Sequence, residues 1–552
     1  MKYVIGVDYG TLSARAIVVE QTSGHTLSES VYSYPHGVMD RRLPDGTPLS
    51  GSDWALAHPA DYHEALKVII PDAVRKAGIP GSDVTALAIT ATACTLLPVD
   101  QNLVPLCMKT SLANRPHAYA KLWKHHRAQL YANRMTETAE KMQADFLKNY
   151  GGKISSEWAV PKVMEVYHED REVYNAADRF MQISDWLTAW LTGDPEPQNG
   201  SIAQYKAMWN RRDGYPSDDY FTAVGEEVPE IVHTKLRGRR LMAGERAGKL
   251  CAEAAEQLGL SCGITVGMAH TDAHCGALGS GACDEGDYVF IIGTSSCGHL
   301  VTSKNAAVSG VTGALTDGLV PGFTCYSAGQ ACVGDMLDWF IQHALPGEYD
   351  LQADEAGMNL HQLLERKAAL QKPGECGLIA LDWFNGNRST LVNADLTGLL
   401  LGLTMETRPE DVYRALLDAI AFGHREIVDQ FSRTGMEIRR VILCGGIAHK
   451  NDLLIQIMAD VLNLPIDVSA DPQASALGAA ICAAAAMEDI PLGDAVKRMK
   501  CGILKTVLPD PRNVSAYEPV YAVYHSLYDY FGRQKPEWMT QVRSRWGMHG
   551  KE

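Results

Sequence analysis

Tyr3-Val-Ile-Gly-Val-Asp8-Tyr-Gly10-Thr11-Leu-Ser13 is an apolar run that ends in a glycine turn carrying hydroxyl groups. The apolar run predicts a strand, and the second run at 14–20 predicts that the chain folds back as a β-hairpin. The same arrangement occurs at Tyr288-Val-Phe-Ile-Ile-Gly293-Thr294, followed by a second short strand at 298–302. Two copies about 285 residues apart indicate a duplicated domain rather than a short-period repeat.

Between and after the two hairpins, strand patterns alternate with helix patterns. Buried strands are predicted at 84–90 and 440–444, and helices at 116–150 and 408–431. Such alternation predicts the α/β class. Because 552 residues exceed what one core usually supports, we expect two domains, at 1–283 and 284–552.

The composition and the net charge argue against several classes of function for this chain. The hydrophobic content of 46% and the charged content of 21% are ordinary for a globular protein. The net charge of −16 argues against a nucleic-acid or anionic-membrane partner. Thirteen cysteines without a CxxC pair favour reduced thiols in the cytoplasm. We find neither a secretory leader pattern nor a run of ~18 apolar residues, so no membrane segment is expected.

Asp272 lies between two histidines in the Ala- and Gly-rich stretch 266–279. A carboxylate without a nearby Lys or Arg in an apolar stretch is costly unless it is used. We therefore interpret Asp272 as a base that activates a substrate hydroxyl. The spacing of His270 and His274 also suggests zinc, but the zincin motif has Glu where Thr271 stands, so a zinc site is not favoured.

Both hairpin turns have the chemistry of phosphate sites. A strand-terminal Asp8 beside Gly10, Thr11 and Ser13 could order hydrated Mg²⁺ and present N–H and hydroxyl groups to phosphate oxygens. Taken alone, this turn is more simply explained as an ordinary hairpin. The second copy at Gly293–Ser296 favours a pair of phosphate-binding turns. That copy lacks the lysine of a P-loop, so a P-loop NTPase is rejected.

Eleven motifs spread over almost the whole chain resemble those of the FGGY family of carbohydrate kinases. The Leu381 and Tyr205 motifs are similar to those of its ribulokinase branch rather than its glycerol, xylulose or gluconate kinases. The motifs are Gly6-Val-Asp8-Tyr-Gly10-Thr11, Trp123-Lys-His-His126, Gly152-Lys-Ile-Ser-Ser-Glu-Trp158, Ala177-Asp-Arg-Phe180, Tyr205-Lys206-Ala-Met-Trp209, Asp272-Ala-His274, Gly293-Thr-Ser-Ser-Cys297, Gly329-Gln330, Leu381-Asp-Trp-Phe-Asn-Gly-Asn-Arg388, Gly445-Gly446-Ile-Ala-His-Lys-Asn451 and Ala476-Leu-Gly-Ala-Ala480.

The resemblance implies two duplicated actin/hexokinase/Hsp70-like (ribonuclease H-like) domains with an interdomain cleft. It also implies a cytoplasmic kinase that uses ATP and Mg²⁺. The expected reaction is phosphorylation of the terminal hydroxyl of a pentulose, L-ribulose above all. The resemblance is compatible with a homodimer but does not require one. By position, Asp272 would be the catalytic base, Ala93, Lys206 and Ser327 would line the sugar site, and Asp8 would hold Mg²⁺ through water. The implied ATP contacts are Gly10, Thr11, Ser13, Gly293, Thr294, Ser295, Gly445, Gly446 and Asn451.

Two positions depart from the ribulokinase pattern. Thr90 stands where the loop before Cys94 usually carries an acid, with Ala91 beside it, and Ser327 stands where a sugar-contacting Glu is expected. Polar contacts to sugar hydroxyls discriminate strongly between substrates. A kinase for another ketose or polyol, such as D-ribulose, xylulose or ribitol, is therefore an alternative. An inactive ATP- and sugar-binding regulator is a second one.

Overall fold

The computed structural model describes residues 2–547, apart from the side chains of Thr312, Ala314 and residues 543–547. In chain order, its strands are β1 (Tyr3–Tyr9), β2 (Ser13–Glu20), β3 (Thr26–Ser33), β4 (Leu56–Ala57), β5 (Val84–Ala91), β6 (Leu96–Val99), β7 (Ala120–Lys121), β8 (Arg179–Gln182), β9 (Pro197–Asn199), β10 (Arg239–Leu241), β11 (Arg246–Lys249), β12 (Thr265–Thr271), β13 (Asp287–Ile292), β14 (Ser296–Thr302), β15 (Thr312–Thr316), β16 (Thr324–Ala328), β17 (Ile379–Leu381), β18 (Leu399–Leu401), β19 (Arg440–Cys444), β20 (Ile466–Ser469) and β21 (Ile503–Val507).

The α-helices are α1 (Pro59–Ala77), α2 (Gln129–Lys141), α3 (Ala159–Glu169), α4 (Arg171–Ala176), α5 (Ile183–Thr192), α6 (Gly200–Lys206), α7 (Asp218–Val224), α8 (Val228–Glu230), α9 (Ala252–Leu258), α10 (Asp272–Gly279), α11 (Gly334–Ala344), α12 (Glu348–Ala356), α13 (Leu360–Ala368), α14 (Pro409–Arg433), α15 (Asp452–Leu462), α16 (Ala474–Glu488), α17 (Leu492–Met499), α18 (Pro511–Asp529) and α19 (Pro536–Gly547). Short 3₁₀ helices span Gly81–Asp83, Leu106–Met108, Pro116–Ala118 and Asp145–Asn149, and π-helical segments span Ile231–Lys235 and Tyr530–Gln534.

The chain forms two compact units, each built from separate segments. The first unit comprises Met1–Cys283, Gly313–Cys325 and Gln473–Cys501, and the second comprises the remainder. A simple cut of the chain between residues 283 and 284 does not reproduce these units, because two segments from beyond residue 283 pack within the first unit. The second of these segments carries α16 and α17, which such a cut would assign to the second unit.

A six-stranded sheet forms the centre of the first unit, in the order β11-β12-β5-β1-β2-β3. Strands β1, β5 and β12 are parallel, whereas β1–β2, β2–β3 and β11–β12 are antiparallel. Every residue of β1 is buried, as expected of a strand covered on both faces. The first hairpin is therefore confirmed, with β1 in the interior of the sheet.

Helices cover both faces of this sheet. Alternate β1 side chains such as Ile5 and Val7 share a core cluster with Tyr62 and Leu66 of α1. On the opposite face, α16 lies so close that a Cβ on Gly6 would overlap the carbonyl oxygen of Ala476. A small-residue helix and a glycine in the strand allow this approach. The result is a helix–sheet–helix sandwich that places the carboxyl ends of the parallel strands at one edge.

The sheet of the second unit repeats this order of strand directions. Strands β14, β13, β19, β20 and β21 are neighbours in that order. The β13–β14 pair is antiparallel, β13–β19 and β19–β20 are parallel, and β20–β21 is antiparallel. The second hairpin and the duplicated α/β architecture are thus confirmed.

The segment 116–150 differs from the long helix that its Ala, Lys, Glu and Gln content predicts. Within it, only α2 is α-helical, and β7 pairs with β4 and β6. Lys121 of β7 is buried, with Nζ 3.3 Å from Oε2 of the equally buried Glu165. Helix propensity is a weak preference, and tertiary packing overrides it here.

The helices of residues 2–547 lack the combination of length and apolar character that crossing a bilayer requires. All thirteen cysteines lie within the described residues, and each is a free thiol.

Candidate active site

Three of the predicted features of the first unit, Asp8, the loop after β5 and Asp272, lie at the carboxyl ends of its parallel strands. Asp8 of β1 is in register with Thr90 of β5, and Ala91 is in register with Thr271 of β12. Asp272 follows directly as the first residue of α10. Open α/β sheets bind ligands at this edge. The parallel register therefore brings Asp8, the loop after β5 and Asp272 to one place.

Asp272 occupies the amino-terminal turn of α10. Thr271 caps this helix by accepting a hydrogen bond from the His274 backbone N–H, and the Ala273 N–H lies 2.8 Å from Oδ1 of Asp272. The positive end of the helix dipole favours a negative charge at this position. Asp272 is half-buried, so its carboxylate is held in place and still reachable. A group so placed can accept a proton from a bound hydroxyl.

The two histidines near Asp272 have structural partners. Nδ1 of His270 accepts the Thr271 N–H at 2.7 Å, so the neutral ring donates through Nε2 to the carbonyl oxygen of Gly318, also at 2.7 Å. His274 stacks on His270 with ring centroids 4.1 Å apart, and its Nδ1 is 2.8 Å from Oγ1 of Thr271. Because both ring nitrogens of His270 are engaged, it has no lone pair for a metal.

Asp8 is a buried carboxylate with incomplete pairing. Its Oδ1 has no hydrogen-bond partner among the described residues, and Arg15 Nε lies 3.8 Å from Oδ2. Burial and, second, the charge of Asp272 raise the pKa of Asp8 to about 7, which Arg15 opposes. Two nearby carboxylates and an unsatisfied oxygen fit a hydrated divalent cation, which prefers oxygen ligands.

The first turn is ordered by contacts within the hairpin and from outside it. The Gly10 N–H donates to the Ser13 carbonyl at 2.9 Å. Oγ1 of Thr11 accepts a hydrogen bond of 3.1 Å from Nε1 of Trp123. Thr11 and Ser13 are both half-buried. The turn thus presents hydroxyl groups on a backbone that is already fixed.

The loop after β5 carries Ala93 and is held by contacts that the sequence analysis did not identify. Nζ of the buried Lys162 donates to the Cys94 carbonyl at 2.6 Å, and Nε2 of Gln182 is 2.9 Å from the Cys94 Sγ. Burial raises the pKa of the Cys94 thiol, and the charges of Lys162 and Lys206 oppose this rise. The loop is therefore held through its main chain by Lys162 and through the Cys94 thiol by Gln182.

Lys206 ends α6 and forms an ion pair with Glu157, with Nζ 3.1 Å from Oε2. Both side chains are about a quarter exposed, at 24% and 22%, so they can still reach a ligand. Glu157 and Trp123 both stand in motifs quoted above, but nothing in the sequence indicated that they contact Lys206 and Thr11.

The turn of the second unit resembles the first in its hydrogen bonding. The Gly293 N–H donates to the Ser295 carbonyl at 2.9 Å, and the carbonyls of Gly293 and Thr294 accept backbone N–H groups at the start of α11. Thr294 is exposed and Ser295 is half-buried. Their hydroxyls therefore lie on a backbone that is tied to a helix.

The two glycines after β19, Gly445 and Gly446, differ in their surroundings. Gly445 has φ +98°, and a Cβ there would overlap the Ile292 backbone, so glycine is required. Gly446 is exposed with nothing within 4 Å of a Cβ position, which leaves room for a ligand. Asn451 is buried, and its Oδ1 caps α15 by accepting the Leu454 N–H at 2.8 Å. Its side chain thus supports the helix that follows the glycines.

Ser327 lies in β16, where its Oγ is 3.0 Å from Nδ1 of the buried His299. On the other side of the ring, Nε2 of His299 is 3.5 Å from the Cys297 Sγ. The histidine thus connects Ser327 to the strand that follows the second turn.

The Leu381–Arg388 motif contributes buried polar groups, Asp382 and Asn387, to a hydrogen-bonded framework. Asp382 accepts hydrogen bonds of 2.9 Å from both Gln330 and Tyr524. Burial raises the pKa of Asp382 to about 6, which the Tyr524 hydrogen bond opposes. Nδ2 of Asn387 donates a hydrogen bond of 3.3 Å to the hydroxyl oxygen of Tyr528. The motif therefore fixes α18, whose tyrosines the sequence analysis did not single out.

Each unit holds half of the predicted site residues. The first unit contains Asp8, Gly10, Thr11, Ser13, Ala93, Lys206 and Asp272, and the second contains Gly293, Thr294, Ser295, Ser327, Gly445, Gly446 and Asn451.

Two family models match this chain. The model of the N-terminal domain of the FGGY family of carbohydrate kinases matches residues 3–279, and that of the C-terminal domain matches residues 288–487. A ribulokinase of Shouchella clausii is 45% identical over 99% of this chain and 98% of its own length. A ribulokinase of Halalkalibacterium halodurans is 44% identical over 98% and 97%.

Solved structures of sugar kinases share the fold. The xylulose kinase of Rhodospirillum rubrum superposes with a TM-score of 0.76 at 22% identity, covering 96% of this chain and 99% of its own. The gluconate kinase of Lactobacillus acidophilus superposes with a TM-score of 0.80 at 16% identity, covering 97% and 99%. The actin/hexokinase-like fold class that the motifs implied is confirmed.

Proposed function

The chain belongs to the FGGY family of carbohydrate kinases, and from this premise we propose that it phosphorylates L-ribulose to L-ribulose 5-phosphate with ATP. Curated relatives that match nearly its whole length at 42–45% identity are named ribulokinase. The observation that carries the proposal is the placement of Asp272 and Asp8 at one edge of the first sheet.

Asp272 acts as the general base. The terminal hydroxyl of the sugar is a poor nucleophile in water. A carboxylate within hydrogen-bond reach accepts its proton as the oxygen bonds to the γ-phosphorus and the bond from that phosphorus to the ADP oxygen breaks, which releases ADP. The position of Asp272 at the start of α10, with Oδ1 on the Ala273 N–H, keeps the carboxylate oriented. General base catalysis of this kind raises the reaction rate about 10²–10⁴-fold.

Asp8 would hold Mg²⁺ through water molecules. Its unsatisfied Oδ1 and the neighbouring charge of Asp272 make a cation favourable there. When bound, Mg²⁺ neutralises charge on the phosphate oxygens. Arg15 limits the negative charge that Asp8 presents when the metal is absent.

The two hairpin turns bind the phosphates of ATP. Gly10, Thr11 and Ser13 form one phosphate site, and Gly293–Ser295 form the other. Backbone N–H and hydroxyl groups at fixed positions stabilise negative charge without having to reorganise. We assign the sugar site, the first turn and the base to the domain 1–283, and the second turn and the adenosine site to 284–552.

Adenosine would lie at Gly445 and Gly446, where Gly446 leaves open space. Asn451 supports this site by capping α15. The sugar contacts that we propose in the first unit are Ala93 and Lys206. Ser327, in the second unit, carries a hydroxyl where the family pattern leads us to expect a sugar-binding carboxylate. Ser327 is the feature that favours the second candidate, a kinase for a related ketose or polyol such as D-ribulose, xylulose or ribitol.

ADP release, coupled to a reporter enzyme and measured over a panel of pentuloses and pentitols with MgATP, tests the proposal. We expect the highest kcat/KM for L-ribulose. A higher kcat/KM for another sugar of the panel would identify that sugar, and not L-ribulose, as the substrate. Binding of ATP and sugar without ADP release for any member would instead support a catalytically inactive regulator.

We expect this kinase to work in the cytoplasm, because thirteen free thiols suit a reducing compartment. Its partner is a small sugar, and the net charge of −16 suits neither nucleic acid nor an anionic membrane. Light scattering of the purified protein would show whether it is a homodimer.

A further inference from the structure

Lys162 of α3 is a fully buried lysine whose contacts are unusual. Its side chain has 0% exposure, and Nζ donates to the carbonyl oxygens of Cys94 at 2.6 Å and Leu122 at 2.7 Å. In the part of the chain that the structure describes, no carboxylate lies within 4.0 Å of this ammonium group. By contrast, the buried Lys121 has the Glu165 carboxylate as partner.

An ammonium group buried without a carboxylate carries a desolvation cost. Burial lowers the pKa of Lys162 to about 8, with Cys94 and Glu157 opposing this shift and Lys206 and Lys121 adding to it. A methionine would fill this space without that cost. The hydrogen bonds to the two carbonyls are therefore the feature that a lysine provides here.

The two carbonyls belong to a loop of the proposed sugar site and to the segment that holds the first hairpin turn. Cys94 follows Ala93 in the loop after β5, and Leu122 precedes Trp123, whose indole holds Thr11. The ends of the loop are fixed by backbone hydrogen bonds, Thr92 to Tyr9 and Ile183 to Thr95. Lys162 fixes its middle.

From these contacts we infer that Lys162 is a positioning residue, which holds the main chain of the Ala93 loop against the Leu122–Trp123 segment and so shapes the sugar pocket. It does not touch the reacting atoms. The inference rests on the proposed function in so far as the ligand of this pocket is a sugar.

Lys235 offers a matched control in the same unit. It is also buried, and Nζ also donates to two main-chain carbonyls, those of Tyr174 at 3.2 Å and Ala177 at 2.5 Å. Tyr174 lies in α4 and Ala177 directly follows it, and neither is part of the predicted site. Lys162→Met and Lys235→Met therefore remove the same kind of contact at different places.

Steady-state kinetics with the best sugar of the panel separates positioning from general stability. We expect Lys162→Met to raise the sugar KM about tenfold or more, because a pocket wall shifts when its buried carbonyl loses its donor. The KM for ATP should rise clearly less than the KM for the sugar, since among the proposed ATP contacts only Thr11 is held through Trp123 of the loosened segment. Lys235→Met should change neither constant by more than about twofold. If Lys162→Met does not fold, Lys162→Gln, whose shorter side chain cannot reach both carbonyls, should raise the sugar KM in the same direction.

Hydrogen–deuterium exchange supplies a readout that does not depend on the substrate. Lys162→Met should increase deuterium uptake in peptides covering 92–95 and 122–125, and Lys235→Met should not. An unchanged sugar KM in folded Lys162→Met, or in folded Lys162→Gln, would overturn the inference, as would unchanged uptake in both peptides. Failure of the wild type to release ADP with any sugar would refute the proposed function alone, because the exchange experiment still tests the role of Lys162.

Discussion

Arg15 stands directly opposite Asp8 across the first hairpin, with its Nε 3.8 Å from Oδ2 of the carboxylate. This contact does not offset the burial of Asp8 and the charge of Asp272, which raise the pKa of Asp8 to about 7 from its ordinary 3.8. The folded protein thus holds the proton more tightly than the unfolded chain. The resulting stabilisation is present below pH 3.8 and is lost as the pH rises through 7.

Asp8→Asn should therefore stabilise the metal-free protein at high pH while abolishing its activity. At pH 8 we expect an apparent melting temperature higher by about 5 °C, because the buried charge is gone. At pH 5, where the folded protein still holds the proton but the unfolded chain has largely lost it, the difference should be clearly smaller. Calorimetry at both pH values and ADP release with Mg²⁺ measure the two effects. An equal thermal shift at both pH values would contradict the role of the buried charge.

Asp272→Asn removes the proposed base while keeping the size of the side chain. We expect kcat to fall by about 10³-fold, since an amide cannot accept the hydroxyl proton. ATP binding, measured by calorimetry, should persist because the two hairpin turns are intact. Turnover close to that of the wild type would rule out Asp272 as the base.

Ser327→Glu restores the acid that the ribulokinase pattern leads us to expect. A carboxylate at this position can accept hydrogen bonds from sugar hydroxyls, and such contacts discriminate strongly. We expect the ratio of kcat/KM for L-ribulose over D-ribulose to rise about tenfold or more. Ser327→Thr, which keeps the hydroxyl, is the control and should leave the ratio nearly unchanged. An equal loss for both sugars would show that Ser327 does not contact the sugar.

Gly478→Ala tests how closely α16 packs on α10. A Cβ at this position would overlap the Cys275 carbonyl, and forced overpacking costs about 1–3 kcal/mol. We expect a lower melting temperature by thermal denaturation. The exposed Gly347, where a Cβ meets only Asp350 Oδ2 at 4.0 Å, is the matched control, and Gly347→Ala should be nearly neutral. Equal melting temperatures for the two variants would argue against this packing.

The sequence sufficed for features that depend on local pattern. Both hairpins follow from apolar runs that end in glycine turns, and α14 (Pro409–Arg433) follows from its amphipathic period and its first-turn proline. Asp272 could be singled out because an acid in a small-residue stretch is conspicuous. Gly445 could be singled out because it begins a double glycine directly after a predicted buried strand.

Contacts between distant parts of the chain could not be predicted in this way. Lys162 and Cys94 are 68 positions apart, and Trp123 and Thr11 are 112 apart. No periodicity signals such pairs. The helix predicted over 116–150 was wrong for most of its length, because a buried ion pair of Lys121 favours a strand there. The sequence likewise does not show that Glu157 pairs with Lys206 and Glu165 with Lys121. From the sequence alone, either acid could have been an exposed surface residue.

The packing of α16 on β1 has a consequence for how the protein is made. The ribosome delivers residues 473–501 long after β1, β5 and β12 have emerged, yet this segment belongs to the first unit. Until it arrives, the face of the sheet around Gly6 has no covering helix. The first unit therefore completes its core only after residue 501 has been made, and a chain that stops at residue 283 would leave a hydrophobic sheet face open to aggregation.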